Sequence, residues 1–323
     1  MKDISSCKVL VTARSFGTGD SALKGDLESA VGEVVYNPFG RAFSYEDFEK
    51  YLPGVDGLIA GVDVIDARVL GLANRLRVIA RYGAGVDQVD IQFAQDRGIV
   101  VTNTPGANAA AVAELAFGMM LSLARRIPEA VAATRAGKWP RVDGVSLQGQ
   151  VLGLMGFGAV GQEMARRAAG FGMVILAYDP APLESAALEL GVRLCSPEEV
   201  LEQSDFLSLH MPLTDETQGF LNSETIPFLK RGAFLINTAR NGLVEETALL
   251  QALNKGFIKG AALDCFSKEP PDPDSSLLKH PAVLVTPHMG AHTDGAVNKM
   301  GRMALENCLA VLRGLEPPNR VLR

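Results

Sequence analysis

Short apolar runs alternate with helix-like stretches in the N-terminal third of the chain. The runs have the length of strands, and between them apolar side chains recur every three or four positions, as on one face of a helix. The predicted strands are residues 8–13, 34–36, 57–60, 77–81 and 99–102, and the predicted helices are residues 20–31, 44–51, 66–72 and 87–97. Strands that alternate with helices predict a parallel sheet with right-handed crossovers.

The same alternation resumes at Gln150 and predicts a second parallel sheet. Its strands are predicted at residues 151–155, 173–179, 192–195, 206–210, 233–238, 261–265 and 283–286, and its helices at residues 162–171, 198–203, 223–230 and 245–255. Before this region, residues 109–124 predict a helix buried between domains or subunits, and the polar stretch 135–144 predicts a connecting loop. A last helix is predicted at residues 293–312, and its small and apolar face would return to the first sheet.

These patterns predict how the chain divides into domains. With 323 residues, the chain is longer than one hydrophobic core usually organises. We therefore predict an α/β protein with two doubly wound parallel-sheet domains. A Rossmann-type cofactor domain, residues 104–291, would be inserted in a flavodoxin-like substrate domain formed by residues 1–103 and 292–323.

Composition and charge exclude several kinds of partner. The net charge is −6, and no cluster of lysine and arginine marks a surface for nucleic acid or anionic lipid. The longest apolar stretch contains Glu114 and is too short to span a membrane. The cysteines lie far apart, so we predict neither a metal site nor a disulfide framework. They are Cys7, Cys195, Cys265 and Cys308. Free thiols, with no apolar segment before Val9, predict a cytoplasmic protein.

A glycine-rich turn joins the predicted strand 151–155 to the helix after it. Its sequence is Gly156-Phe-Gly158-Ala-Val-Gly161, and it has the strand–turn–helix context that a dinucleotide-binding turn requires. Gly156 would allow the tight turn, Gly158 the approach of a pyrophosphate, and Gly161 close packing of the helix on its strand. The alternative is an ordinary glycine-rich turn in an α/β domain.

Asp179 ends the next predicted strand, where a carboxylate accepts hydrogen bonds from an adenosine ribose. The residues after it, Pro180-Ala-Pro-Leu183, contain no arginine. The carboxylate would therefore repel a 2′-phosphate that finds no cation, which favours NAD over NADP.

Chemically active side chains follow three later strands, at the edge where open α/β sheets bind ligands. Arg240 offers a planar, permanently charged guanidinium to a substrate carboxylate, with a salt bridge at a helix start as the alternative. His288 exchanges a proton near neutral pH, although a lone histidine is often structural. Glu269 would orient that imidazole and raise its pKa, or else be a solvated loop carboxylate.

Eight segments carry a family resemblance. They are Arg81-Tyr-Gly-Ala-Gly-Val-Asp87, Asn103-Thr-Pro-Gly106, Val112-Ala-Glu114, the glycine turn, His210-Met-Pro-Leu213, Asn237-Thr-Ala-Arg240, the stretch from Asp264 to Pro270, and Pro287-His288. Together they resemble the D-2-hydroxyacid dehydrogenase family, specifically its phosphoglycerate dehydrogenase-like branch. The resemblance implies NAD-dependent hydride transfer between a small D-2-hydroxy acid and its 2-keto acid, D-3-phosphoglycerate and phosphohydroxypyruvate being one candidate pair. It also implies a homodimer built on the cofactor domains.

The resemblance further implies roles for individual residues. Arg240, Glu269 and His288 match the catalytic arginine, glutamate and histidine of the family. The substrate carboxylate would be bound by Arg240 and by the backbone of Tyr82, Gly83 and Ala84. The implied cofactor contacts are Gly156, Gly158, Ala159, Val160, Gly161, Asp179, Met211, Pro212, Thr238, Ala239, Arg240, Asp264, His288, Gly290 and Ala291.

Two departures from relatives bear on the substrate. Phosphoglycerate enzymes usually carry an arginine after the third strand, whereas this chain has Ile59-Ala-Gly-Val-Asp63 there, and Asp63 adds a negative charge. Arg14 or Arg81 would be the replacement phosphate ligand, or else a surface or packing residue. Glu269 stands where the related formate dehydrogenases have glutamine, so we do not expect formate oxidation.

The main interpretation has three alternatives. A hydroxypyruvate or glyoxylate reductase would perform the same chemistry on another substrate. A non-catalytic, NAD(H)-sensing corepressor-like protein would keep the same site residues and bind the cofactor without turnover. An L-2-hydroxyacid dehydrogenase would have its glycine turn near the N-terminus, and the mid-chain turn of this sequence argues against it.

Overall fold

The computed structural model describes residues 2–322 of the chain. The chain forms two compact units. A discontinuous unit comprises the chain up to Asn108 and again from His292, and a central unit comprises Ala109–Ala291.

The discontinuous unit is a parallel α/β sheet. Its strands are β1 (Lys8–Val11), β2 (Glu33–Tyr36), β3 (Gly57–Ala60), β4 (Val78–Arg81) and β5 (Val100–Thr102), and its helices are α1 (Ala22–Ala30), α2 (Tyr45–Tyr51), α3 (Ala67–Leu70), α4 (Ile91–Asp96) and the C-terminal helix (Asp294–Leu312). The strand order is β2-β1-β3-β4-β5, the flavodoxin-like order. Each of the helices α2, α3 and α4 begins at a side chain that accepts the N–H three residues on.

The C-terminal helix completes this unit. Its apolar face buries Ala304, Cys308 and Leu312 in one cluster with Val9 and Val11 of β1. The last segment of the chain therefore covers the sheet built by the first segment.

The central unit is a larger parallel sheet with helices on both faces. Its helices are α5 (Ala109–Arg125), α6 (Ile127–Arg135), α7 (Ala159–Gly170), α8 (Glu184–Leu190), α9 (Pro197–Gln203) and α10 (Glu246–Asn254), and its strands are β6 (Val151–Met155), β7 (Val174–Tyr178), β8 (Arg193–Leu194), β9 (Phe206–Leu209), β10 (Ala233–Asn237), β11 (Ile258–Leu263) and β12 (Val283–Val285). The order is β12-β11-β10-β9-β6-β7-β8. It reverses between β6 and β9, where ligands bind in such sheets. Two parallel α/β sheets confirm the predicted fold class.

Several predicted elements need correction. The predicted helix at residues 223–230 is only a 3₁₀ turn, Ile226–Phe228, because Pro227 lacks the N–H that a helix needs. The helices α6 and α8 were not predicted, since α6 buries no side chain and α8 buries only Ala187. The predicted helix at residues 109–124 forms as α5, and it buries Phe117 and Met120 in the core of the central unit.

The apolar content of the helices bears on membrane association. Among the described residues, no helix combines the length and hydrophobicity needed to cross a membrane.

Candidate active site

The glycine turn lies between the carboxyl ends of β6 and β9, where the order of the central sheet reverses. Gly156 has a left-handed backbone (φ +101°), and a Cβ added to it would lie 2.7 Å from the carbonyl carbon of His210. A Cβ on Gly161 would lie 2.3 Å from the carbonyl oxygen of Gly156. Both glycines are therefore required by the packing of the turn. Gly158 differs, because a Cβ there would meet no described atom within 4 Å.

The open side of the turn has the features of a dinucleotide phosphate site. Gly158 immediately precedes α7, and no described side chain caps the start of this helix, so its first N–H groups can bind an anion. These groups belong to Ala159, Val160 and Gly161. Asp179, which follows β7, accepts a hydrogen bond of 2.8 Å from the N–H of Phe157. Its carboxylate is thus fixed beside the turn, where a ribose next to the pyrophosphate would lie.

Buried polar atoms at neighbouring strand ends also fit a bound dinucleotide. Thr238 Oγ1 after β10 and His210 Nδ1 after β9 have no hydrogen-bond partner among the described residues. Leaving a buried polar atom unpaired is destabilising, and a ligand that forms hydrogen bonds with these atoms would remove that penalty. Burial lowers the pKa of His210 to about 3, so this neutral imidazole cannot serve as the acid. Met211 buries its side chain in the core, whereas Pro212 is exposed.

Asn237 shapes the loop that carries Arg240. Its side chain is buried, donates to the carbonyl oxygen of Arg240 (2.9 Å) and accepts from the N–H of Ala239 (3.1 Å). The guanidinium of Arg240 donates to the carbonyl oxygen of Ala239 (2.8 Å). In the sequence, Asn237 is recognisable only as part of the motif Asn237-Thr-Ala-Arg240. An asparagine at the end of a buried strand is a known turn former, and this is the signal that marks it.

His288 and Glu269 form a hydrogen-bonded pair. His288 Nδ1 lies 2.9 and 2.8 Å from the two carboxylate oxygens of Glu269. This hydrogen bond raises the pKa of His288 more than burial lowers it. Burial raises the pKa of Glu269, but the hydrogen bond and charge of His288 together hold that pKa below its ordinary value. The pair therefore favours an imidazolium beside a carboxylate, and it leaves Nε2 of His288 available to a substrate.

Asp264 holds the loop that carries His288. Its buried carboxylate accepts hydrogen bonds from the Thr286 hydroxyl (2.6 Å) and from the N–H groups of Met289 (2.9 Å) and Gly290 (2.8 Å). The bonded residues lie on both sides of His288 in the chain. The φ of His288 is +50°, which is uncommon for a residue other than glycine. The sequence did not reveal this bracing role. A contact between Asp264 and the nicotinamide amide stays a prediction.

Arg240, Glu269 and His288 follow three adjacent strands, β10, β11 and β12. The charge of Arg240 lowers the pKa of both His288 and Glu269, so the three charged groups share one site. Burial raises the pKa of neighbouring Cys265 to about 12, and its protonated thiol is not a nucleophile. Within residues 2–322, no group of three or more His, Cys, Asp or Glu side chains is arranged to hold a metal ion.

In the discontinuous unit, the loop after β4 contains Tyr82, Gly83 and Ala84. The Tyr82 hydroxyl donates to the carbonyl oxygen of Val297 (2.8 Å), and the carbonyl oxygens of Gly83 and Ala84 accept hydrogen bonds from Thr104 N–H and the Asn103 side chain. The N–H groups of Gly83 and Ala84 donate to no described residue. Two such N–H groups in a fixed loop are suited to an anion.

Several known proteins are similar to this chain in sequence. The protein named D-3-phosphoglycerate dehydrogenase 2, chloroplastic, of Arabidopsis thaliana is 43% identical over 275 residues, which are 84% of this chain and 44% of that protein. The chain thus spans less than half the length of that relative. A glyoxylate reductase of Korarchaeum cryptofilum is 43% identical over 265 residues, 80% of each chain.

Solved structures show the same architecture. The crystal structure of a protein from Thermus thermophilus is 40% identical to this chain, with a TM-score of 0.86 over 98% of this chain and 100% of that one. Residues 117–290 match the family described as D-isomer specific 2-hydroxyacid dehydrogenase, NAD binding domain, and this confirms the predicted NAD cofactor. The chain belongs to the D-isomer specific 2-hydroxyacid dehydrogenase family.

Proposed function

We propose that this chain is an NAD-dependent oxidoreductase that interconverts a small 2-keto acid and its D-2-hydroxy acid. The observation that carries the proposal is the Glu269–His288 pair, with its 2.8 Å hydrogen bond and raised histidine pKa, in the same unit as Arg240 and the glycine turn. A general acid, a cation for a carboxylate and a dinucleotide site are the parts that this reaction requires. Relatives named glyoxylate reductase and hydroxypyruvate reductase support the reaction class.

The proton is moved by His288. Glu269 accepts from Nδ1–H of His288, so the other ring nitrogen, Nε2, carries the proton that is donated to the ketone oxygen. In the reverse direction, neutral Nε2 accepts the hydroxyl proton. Because the charge of Glu269 favours the imidazolium, it keeps the acid form available at higher pH.

The substrate is oriented by cations and N–H groups. Arg240 would bind the carboxylate and polarise the carbonyl group, because a guanidinium matches two oxygens. The loop of Tyr82, Gly83 and Ala84 would bind the carboxylate through its N–H groups. When bound, NADH supplies the hydride.

The cofactor would be held by the glycine turn and the strand ends of the central unit. The N–H groups that begin α7 would bind the pyrophosphate. Asp179 would accept from the ribose, and Thr238 Oγ1 would find its partner in the ligand. The other proposed contacts are Met211, Pro212, Ala239, Asp264, Gly290 and Ala291.

Assembly and compartment extend this proposal. A homodimer through the central unit is supported by α6, which buries no side chain, and by Trp139, which is 89% exposed. An exposed tryptophan next to a helix without buried side chains is typical of a protein–protein interface. A cytoplasmic location is supported by the four free cysteines.

The experiment that tests the proposal is NADH oxidation with a panel of 2-keto acids. We expect steady turnover, and His288→Ala should lower kcat by about 10²–10⁴-fold while the Kd of NADH changes little. His280→Ala, a histidine outside the proposed site, is the matched control. NADH binding without turnover of any 2-keto acid would instead indicate a cofactor-sensing binding protein.

A further inference from the structure

Ser208 and His210 lie on the face of the central sheet that α7 covers. Ser208 of β9 pairs with Leu154 of β6 and with Ile236 of β10, and paired residues of a parallel sheet point to the same face. Leu154 and Ile236 pack in one cluster with Met164 of α7. The side chain of Ser208 therefore points to the side of α7, and side chains two residues apart along a strand share a face.

His210 lies next to the glycine turn at which α7 begins. Its Nε2 is 2.8 Å from Ser208 Oγ, so its imidazole is on the same side of the sheet. Its backbone lies against the turn, since a Cβ on Gly156 would be 2.7 Å from the carbonyl carbon of His210. The first N–H groups of α7 are suited to a phosphate, and His210 is the buried side chain beside them.

The hydrogen bond with Ser208 determines which ring nitrogen of His210 carries the proton. Burial lowers the pKa of His210 to about 3, so near neutral pH the ring has one N–H and one unprotonated nitrogen. The hydroxyl of Ser208 is buried and has no other partner among the described residues. If Nε2 were the N–H, that hydroxyl hydrogen would have no acceptor. Both groups are satisfied only when Ser208 donates to Nε2, which leaves the proton on Nδ1.

The Nδ1–H of His210 is then a buried donor without an acceptor. Nδ1 has no hydrogen-bond partner within residues 2–322, and a buried donor that stays unpaired is destabilising. Thr238 Oγ1, which is also unpartnered at these strand ends, can donate or accept, whereas Nδ1–H can only donate. The ligand group that meets it is therefore an acceptor, and charged phosphate oxygens are the strongest acceptors of a dinucleotide.

We infer that His210 is a further cofactor-binding residue, whose Nδ1–H donates to a pyrophosphate oxygen of the dinucleotide, and that Ser208 is a positioning residue that fixes this tautomer. The inference rests on the cofactor site of the proposed function, but not on which 2-keto acid is reduced. It adds one side-chain donor to the N–H groups at the start of α7.

Nuclear magnetic resonance tests the tautomer without any turnover. With ¹⁵N in the four histidines, the ring of His210 is identified by the loss of its signals in His210→Gln. We expect Nδ1–H in the ligand-free protein, and a ring that stays neutral on acidification to about pH 5, as a pKa of about 3 requires. NADH should shift the Nδ1–H resonance.

Replacing Ser208 tests its role in fixing the tautomer. In Ser208→Ala the Nε2–H tautomer should appear, and the Kd of NADH should rise. Ser204→Ala is the matched control, because Ser204 is a second buried serine of the central unit and its hydroxyl donates to the carbonyl oxygen of Val200. This control should leave both the tautomer and the Kd unchanged.

Two substitutions of His210 separate the Nδ1 donor from the rest of the ring. The amide nitrogen of asparagine is as many bonds from the backbone as Nδ1, whereas that of glutamine corresponds to Nε2. In calorimetric titrations with NADH and with ADP-ribose, His210→Asn should keep each Kd within about threefold of wild type. His210→Gln should raise both Kd values about tenfold or more, because a hydrogen bond to a charged group is lost. Thermal unfolding checks that each variant is folded.

Other results overturn the inference. An Nε2–H tautomer in the ligand-free wild type does so, and so does an Nδ1–H resonance that NADH leaves in place. Equal Kd values for His210→Asn and His210→Gln would show that the position of the donor does not matter. A loss of affinity for NADH but not for ADP-ribose would place the contact on the nicotinamide side. Failure of the proposed function is distinct, because the expected tautomer and Kd values would then be observed while no 2-keto acid is reduced.

Discussion

Replacing Glu269 with glutamine tests the charge of the proposed catalytic pair with little change in shape. Glutamine keeps the length of the side chain and can still accept from Nδ1 of His288, but it carries no negative charge. The wild-type hydrogen bond raises the pKa of His288, so the imidazolium persists as the pH rises. Without the charge, the imidazolium is lost at lower pH.

The magnitude follows from the contact. A hydrogen bond to a charged group contributes about 1.5–3 kcal/mol. The two side chains are 41% and 37% exposed, and solvent screening reduces the contribution of an exposed pair. A loss of about 1.4 kcal/mol corresponds to a tenfold change. We therefore expect kcat for 2-keto acid reduction to fall about tenfold on the alkaline side of neutrality.

The assay is the pH dependence of kcat in both directions. Reduction needs protonated His288, so its fall with rising pH should move to lower pH in Glu269→Gln. Oxidation needs neutral His288, so its rise with pH should also move to lower pH. Glu202→Gln, at an exposed carboxylate of α9, should leave both profiles in place. Equal losses at every pH in both directions would refute the reasoning, because they would show that Glu269 only maintains the loop.

Three further predictions concern the cofactor and assembly. Because of Asp179, kcat/KM should be at least tenfold higher with NADH than with NADPH. This corresponds to the roughly 1.4 kcal/mol of a modest charge clash between the carboxylate and the 2′-phosphate. Equal kcat/KM values for the two cofactors would contradict this. Gly161→Ala should lower the free energy of unfolding by about 1–3 kcal/mol, since its Cβ would meet backbone. Gly158→Ala should leave the Tm unchanged but weaken NADH binding. Thermal unfolding measures the first effect, and calorimetric titration with NADH measures the second. Trp139→Lys should shift light-scattering mass from dimer to monomer, with Lys138→Ala as control, and an unchanged mass would place the interface elsewhere.

Much of the fold was readable because its signals are local. Apolar runs between turn residues marked the long strands, and the glycine turn was recognised from six consecutive residues and their flanks. Helices without a buried apolar face, such as α6, were not predicted, because the apolar periodicity that indicates a helix arises from a buried face. Pro227 ended a helix-like pattern that composition alone favoured.

The residues that fix loops by hydrogen bonds could not be predicted from the sequence, because their partners are distant in the chain. Asp264 bonds to the N–H of Met289, 25 residues away, and Asp63 bonds to Thr12, 51 residues away. A carboxylate that follows a buried strand looks the same in sequence whether it binds a ligand or a backbone N–H. Only the folded chain distinguishes these two roles, since both depend on which loop lies next to the carboxylate.

The sequence by itself determined the family, the two-sheet α/β architecture, the glycine turn and the identity of Arg240, Glu269 and His288 as candidates, because each depends on local motifs and residue chemistry. The tertiary structure decided what surrounds these residues. It paired His288 with Glu269 at 2.8 Å and buried Asp63 beneath its loop. Hydrogen bonds between distant segments set these orientations, and no pattern along the chain records which segments will meet.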